Sequence, residues 1–305
     1  MAVMYFSKFN VNSKIYEVRE GRISIDEILK ELFYKINDDK QYNFIKTNKV
    51  KQEDGNYEEK IVVNDTYVFS ELEKDESEMS IYGKMVRVYP MIGEKYNEEL
   101  KKSEKAIVKN FSASIKFYFD IKKEIIAFCT PNHFGYDQFN FGFKHLCQEY
   151  IPNMEFEVFL QKNVSDLKAG LKNFKKVNKI SATIIPANAN EEELNILRES
   201  AEYMENMEEA KITKQKVEFY ASLKNDYGID CESKMIKSTF LQSTNGYGNF
   251  VAEGVDNKGN DIIFNADENA PYTRNIKDSE KENEHTFKQK AKSYISQIRA
   301  MILQL

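Results

Sequence analysis

The chain has 305 residues, enough for one large domain or two, and 41% of them are hydrophobic with 13% aromatic, so it can bury a real core. Its net charge is −5 and charged residues make up 30%, which surrounds that core with solvated surface. No apolar run approaches the roughly 18 residues of a membrane span, and the first residues lack the basic start and apolar core of a signal peptide. A cytoplasmic protein with no membrane insertion is expected. Cys129, Cys147 and Cys231 are odd in number and widely spaced, so reduced thiols are expected rather than disulfides or a zinc site.

In chain order, VMYFSKFNV reads as a strand. SIDEILKELFYKI follows as a helix, capped at Ser24 and turning Ile28, Leu29, Leu32 and Phe33 inward. Strand-like runs at YNFIKTNKV, EKIVVNDTYVFS and MSIYGKMVRVYP suggest an antiparallel meander. After Pro90 the Lys- and Glu-rich stretch MIGEKYNEELKKSEKAIVKN reads as a connecting helix or linker, which places a domain boundary near residue 95. The expected domains are therefore 1–95, an α+β unit, and 96–305, a mixed sheet flanked by helices. In the second half SASIKFYFD and EIIAFCT form a hairpin, and QFNFGFKHLCQEYI a helix. FEVFLQKN, the basic segment 165–179 and KISATIIPA form a β, α, β unit with a right-handed crossover. An acidic helix over 191–209 follows, then KVEFYASL, which is either strand or helix. SKMIKSTFLQ is helical, and NFVAEGVDNKGNDIIFNA is a hairpin that turns at Asp256, Asn257 and Gly259. The last helix runs from about Lys281 to Leu305. The fold class expected is α+β.

Charge is sorted along this chain. Residues 101–123 hold seven lysines against two acids, whereas 51–82 and 191–209 each carry a balance of −7. In SDLKAGLKNFKKVNK a single helix would place Lys168, Lys172, Lys175, Lys176 and Lys179 on one side and Leu167, Leu171 and Phe174 on the other. Such a strip contacts phosphates and gives affinity without sequence preference, because phosphate contacts position a protein and base edges specify it. These five lysines are the candidate nucleic-acid site. Phe111, Phe117, Tyr118 and Phe119 could stack on bases, but in an alternating strand they read as core. The opposed acidic and basic segments also fit a scaffold in which patches on two subunits meet.

Catalytic signals are thin. Asp230, Glu232 and Lys234 have the residue types of a metal-dependent nuclease, in which carboxylates hold Mg²⁺ and Lys polarises water, but they follow a glycine in a polar loop. His133, near Cys129 and Asp137, could serve as a base or simply as a loop residue. NGYGNF reads as a turn rather than a phosphate cradle, and neither a P-loop, GxSxG nor HExxH occurs. No catalytic residue, metal site or cofactor is assigned. In the terminal helix Phe287, Ala291, Tyr294, Ile298, Met301 and Leu305 form a seam, widened by Ile295 and Ile302, that either packs on its own domain or joins two subunits.

Over about residues 110–305 the order IIAFCTPNHFG before a helix, a strand and basic segment leading to KISATIIPA, then VAEGVDNKGNDIIF before a terminal helix, resembles the RexA-like phage-exclusion proteins. The resemblance implies a homodimeric, DNA-binding sensor of an abortive-infection system, with a second defence protein as partner and duplex DNA as ligand. It supplies no catalytic residue.

Overall fold

A computed structural model describes residues 1–51, 56–187, 201–222, 224 and 226–302. Its larger sheet is built on β1 (Ala2–Val11), β2 (Gln41–Lys51), β3 (Tyr57–Asp75), β4 (Ser80–Asn97), β5 (Lys102–Asp120) and β6 (Ile125–Cys129), with β7 (Phe156–Leu160) and β12 (Thr273–Ile276). Across the sheet the order is β12-β1-β6-β5-β4-β3-β2. β7 continues the β12 edge, because β1 pairs with β12 over Ala2–Tyr5 and with β7 over Ser7–Val11. The smaller sheet has the order β11-β10-β8-β9, from β8 (Phe174–Ile184), β9 (Gln215–Tyr220), β10 (Gly248–Asp256) and β11 (Asp261–Asn265).

Alternation gives the larger sheet two apolar faces. On β1, Phe9 and Val11 join the core beneath α2 (Ile25–Lys35) and α3 (Tyr136–Tyr150), while Met4 and Phe6 point to the opposite face. The same split occurs on β5, where Phe117 and Phe119 lie on one side and Tyr118 on the other. α2 buries Ile28, Leu29, Leu32 and Phe33, as its spacing requires. α3 adds Phe139, Phe143, Leu146 and Cys147, all fully buried; each such side chain contributes about 1.5–3 kcal/mol of transfer free energy. α3 can lie this close to the sheet because position 142 is glycine. A Cβ there would stand 2.4 Å from the Tyr67 ring and 2.5 Å from Met85.

The far face is covered by the terminal helix α9 (Glu284–Ile302), whose Phe287, Ala291, Ile295 and Ile298 are buried against Met4, Tyr82, Tyr118 and Ala127. Over Phe287–Ile298 the seam thus packs on the chain's own sheet. The side chains of Met301, Ile302 and Leu305 lie outside the described residues.

The smaller sheet is closed by α4 (Val164–Lys172), α6 (Lys234–Thr244) and α7 (Ala266–Asn269), which bury Leu167, Ile236, Phe240 and Ala266 with Ile180 and Phe250. Three short helices complete the described elements: α1 (Ile15–Arg19), α5 (Ala201–Glu209) and α8 (Asp278–Glu282).

The α+β class read from the sequence is the class of the structure, and KVEFYASL resolves as the strand β9. Two expectations are corrected. Residues 91–110 are neither helix nor linker but the far part of the β4–β5 hairpin, so the larger sheet draws strands from both sides of residue 95. Opposite charges face each other across it, Glu94 with Lys105 and Lys95 with Glu104, and that pairing is invisible to a reading based on apolar periodicity. The segment β7–α4–β8 makes no parallel crossover. β7 joins the larger sheet and β8 the smaller one, and every strand pairing described in either sheet is antiparallel.

Candidate nucleic-acid interface

The basic segment is divided. α4 starts at Asn163, whose side-chain oxygen accepts from the Ser165 and Asp166 backbone N–H groups at 3.0 and 3.4 Å. It ends at Lys172 because the chain beyond Asn173 alternates as a strand, burying Val177, Ile180, Ala182 and Ile184. Lys168 and Lys172 therefore share a helix face, but Lys175, Lys176 and Lys179 belong to β8, and the continuous strip expected from 165–179 does not form. Lys168, Lys172 and Lys175 are exposed and make no ion pair with a described residue. Lys176 reaches the Ser222 carbonyl at 3.4 Å. Lys179 is engaged by Glu218 at 3.0 Å and Glu253 at 3.5 Å and lies over the Tyr220 ring. The hydrogen bond to Glu218 holds the Lys179 ammonium above its ordinary range.

A second set of lysines lies where the larger sheet forks. β3 and β4 pair only from Thr66 and Val88 inward, whereas β2–β3 pairing runs on to Lys51 opposite Tyr57, and β4–β5 pairing to Asn97 opposite Lys102. Two two-stranded arms leave the same end of the sheet, each about 25–30 Å long at the rise of a β-strand. On the β2 arm, Lys46, Lys49 and Lys51 are exposed along the free edge, with no acid on that strand and no ion pair to a described residue. Ile45, Ile61 and Tyr57 on the same arm are 57%, 61% and 67% exposed, so this ribbon has no core of its own. The second arm carries Lys95, Lys101, Lys102 and Lys105 but also Glu94, Glu98, Glu99 and Glu104. The basic character of Lys101, Lys102 and Lys105 is legible in the sequence. The placement of Lys46, Lys49 and Lys51 on an edge strand is not, because it depends on pairing with β3, which sets Glu59 opposite Lys49 and Glu58 opposite Val50.

At the fork, Asp65 and Arg87 form a buried two-point pair, and Arg87 stacks over the Tyr89 ring at 4.3 Å. Burial and the neighbouring Asp65 carboxylate push the Tyr67 hydroxyl above its ordinary range.

The remaining sequence candidates do not converge. Asp230 closes a turn before α6, accepting from the Glu232 N–H at 2.9 Å, and Glu232 is exposed and pairs with Lys237 at 2.8 Å. These residues form a helix entry, not a nuclease centre on a strand. Among the described residues no group of three or more His, Cys, Asp or Glu side chains is placed to hold a metal ion. The His133 carbonyl accepts from Arg87 at 3.2 Å and its ring lies edge-on to Phe111. Cys129 instead faces α9, where burial pushes its thiol up to about 12. Phe117, Tyr118 and Phe119 are core, and Phe111 packs on Tyr89. Gly246 is a turn with φ +80°. The three cysteines are free, and among the described residues no helix is long and apolar enough to cross a membrane.

Fold and surface together define an α+β protein whose described residues form two antiparallel sheets, with helices on both faces of the larger one and projecting ribbon arms. The chain belongs to the family of the domain of unknown function DUF4747, whose model matches residues 3–296. No curated protein matches it.

Proposed function

We propose that this chain is a nucleic-acid-binding protein of bacterial phage defence that holds duplex DNA by its phosphates, without sequence preference and without chemistry on the strand. The observation that carries this reading is the acid-free edge strand β2, whose Lys46 on one face and Lys49 and Lys51 on the other are exposed on an arm that buries no core, with Glu59 opposite Lys49. Lysines act as point charges and do not read guanine bidentately, which fits backbone contact. Like charges on an edge strand also oppose its pairing with another copy of itself, so a polyanion suits this edge better than a second β2. Lys168, Lys172 and Lys175 supply a further patch, and Lys176 and Lys179 contribute less because they are already engaged. The similarity to RexA-like exclusion proteins favours a cytoplasmic sensor that acts as a homodimer with a second defence protein.

The test is a gel shift with duplex DNA, single strands and RNA across a salt series, with and without Mg²⁺. Log affinity for the duplex should fall linearly with log salt, by about 0.9 per phosphate neutralised. Affinity that does not change with salt would overturn the reading, and Mg²⁺-dependent cleavage would replace it with an enzymatic one.

A further inference from the structure

A cleft of about 250 Å³ lies between the two sheets, with α3 and β7 on one side and β8, β9, β10 and α7 on the other. Its charges are segregated. At one end stand Asp137 of α3 and Asp267 of α7, with Glu268 beside them. Lys162, whose fully buried ammonium pairs with Asp267, also acts on Asp137; the other Asp267 oxygen accepts from Asn249 at 3.1 Å. At the other end Glu157 is held by Lys144 at 2.9 Å and Lys214 at 2.5 Å, and Lys216 lines the same wall. Three ammonium groups there face one carboxylate. Each end thus keeps an excess of charge opposite in sign to the other, and Asp137 and Lys216 have no hydrogen-bond or ion-pair partner among the described residues.

We infer that this inter-sheet cleft binds a small zwitterion of the α-amino-acid class, its ammonium toward Asp137 and its carboxylate toward Lys216. The volume accommodates a molecule of that size, and the polar groups that line it, Asn140, Thr183 and Asn249, add hydrogen-bonding capacity without net charge. A simple anion would leave the Asp137 end unmatched, and a simple cation the Lys216 end. Partial burial, then the Asp267 and Glu268 carboxylates, raise the Asp137 carboxyl above its usual range, as expected of a group that lacks its cation. Because both sheets build the walls, the ligand also ties them together. The inference does not depend on the nucleic-acid reading.

Isothermal titration and thermal unfolding of the full chain with L-alanine, L-glutamine and L-phenylalanine test it, with propylamine and propionate as single-ended probes. At least one amino acid should bind and raise the melting temperature, with propylamine and propionate weaker by about tenfold or more, the equivalent of one charged contact. Asp137→Asn and Lys216→Gln alter groups at the cleft mouth and should each weaken that amino acid by a similar factor while leaving the circular dichroism spectrum unchanged. Propionate binding as tightly as the amino acid, unaltered affinity in both variants, or no binding by any of the three amino acids at millimolar concentration would each overturn the inference.

Discussion

Arg87 and Asp65 meet in a two-point pair, Nε to Oδ2 at 2.9 Å and Nη2 to Oδ1 at 3.1 Å, at the position where β3 and β4 part company. Asp65 also accepts from the Tyr67 hydroxyl at 3.2 Å, and Arg87 donates to the His133 carbonyl. Planar geometry, burial and stacking on Tyr89 converge on one guanidinium, which fixes the root of both arms.

Replacing Arg87 by Ala leaves the Asp65 carboxylate buried and unmatched, and should lower stability by about 3 kcal/mol in urea unfolding. Arg87→Lys should recover part of this loss, because it restores a charge but neither the fork nor the stacking surface. A stability unchanged in Arg87→Ala would show that the pair does not anchor the arms.

Reversing Lys46, Lys49 and Lys51 to Glu should weaken duplex binding by more than tenfold and flatten its salt dependence, with stability within about 1 kcal/mol of wild type, since exposed charges contribute little to folding and the one new like-charge pair is position 49 with Glu59. Reversal of Lys168, Lys172 and Lys175 changes net charge equally and should weaken binding less. Equal losses in the two triple variants would point to bulk charge rather than to the arm.

Ile298→Asp should unfold the protein rather than release a folded monomer, because Ile298 is 3% exposed beneath the sheet formed by Met4, Tyr118 and Ala127. The buried carboxylate has no cation to meet it, so a loss of more than about 3 kcal/mol is expected. Size-exclusion chromatography with circular dichroism separates the outcomes, and a folded, smaller species would contradict the packing.

Stability should also decline at acid pH through Glu157. Burial acts to raise its carboxyl, but the Lys144 ammonium and the Lys214 hydrogen bond outweigh it and hold the group below the usual carboxylate range. A depressed folded-state value contributes stability that is complete above the unfolded-state value and disappears as pH falls through the folded one. Glu157→Gln should therefore be less stable than wild type at neutral pH but lose less on acidification, as measured by urea midpoints across that range. Parallel pH profiles for the two proteins would refute the assignment.

Much of this architecture is local and therefore readable in the chain. α2 and α3 declare themselves by apolar residues three and four apart, the Asp256–Gly259 turn by its residue types, and the face of α9 by its seam. The break in the expected five-lysine strip was not readable, because the helix carrying Lys168 and Lys172 passes within two residues into the alternating strand β8 that carries Lys175, Lys176 and Lys179; only pairing with β10 decides where helix ends and strand begins. The same holds for the arms and the cleft. The sequence by itself determined the α+β class and those elements, such as α2, α3 and the buried face of α9, whose propensity and periodicity act within a dozen residues. Tertiary structure alone decided that residues 91–110 form a ribbon, that Lys46, Lys49 and Lys51 lie on a free edge strand with Glu59 opposite Lys49, and that Asp137 and Lys216 face one cleft. Each of these depends on strand pairing and sheet docking between residues far apart in the chain, for which local preference carries no signal.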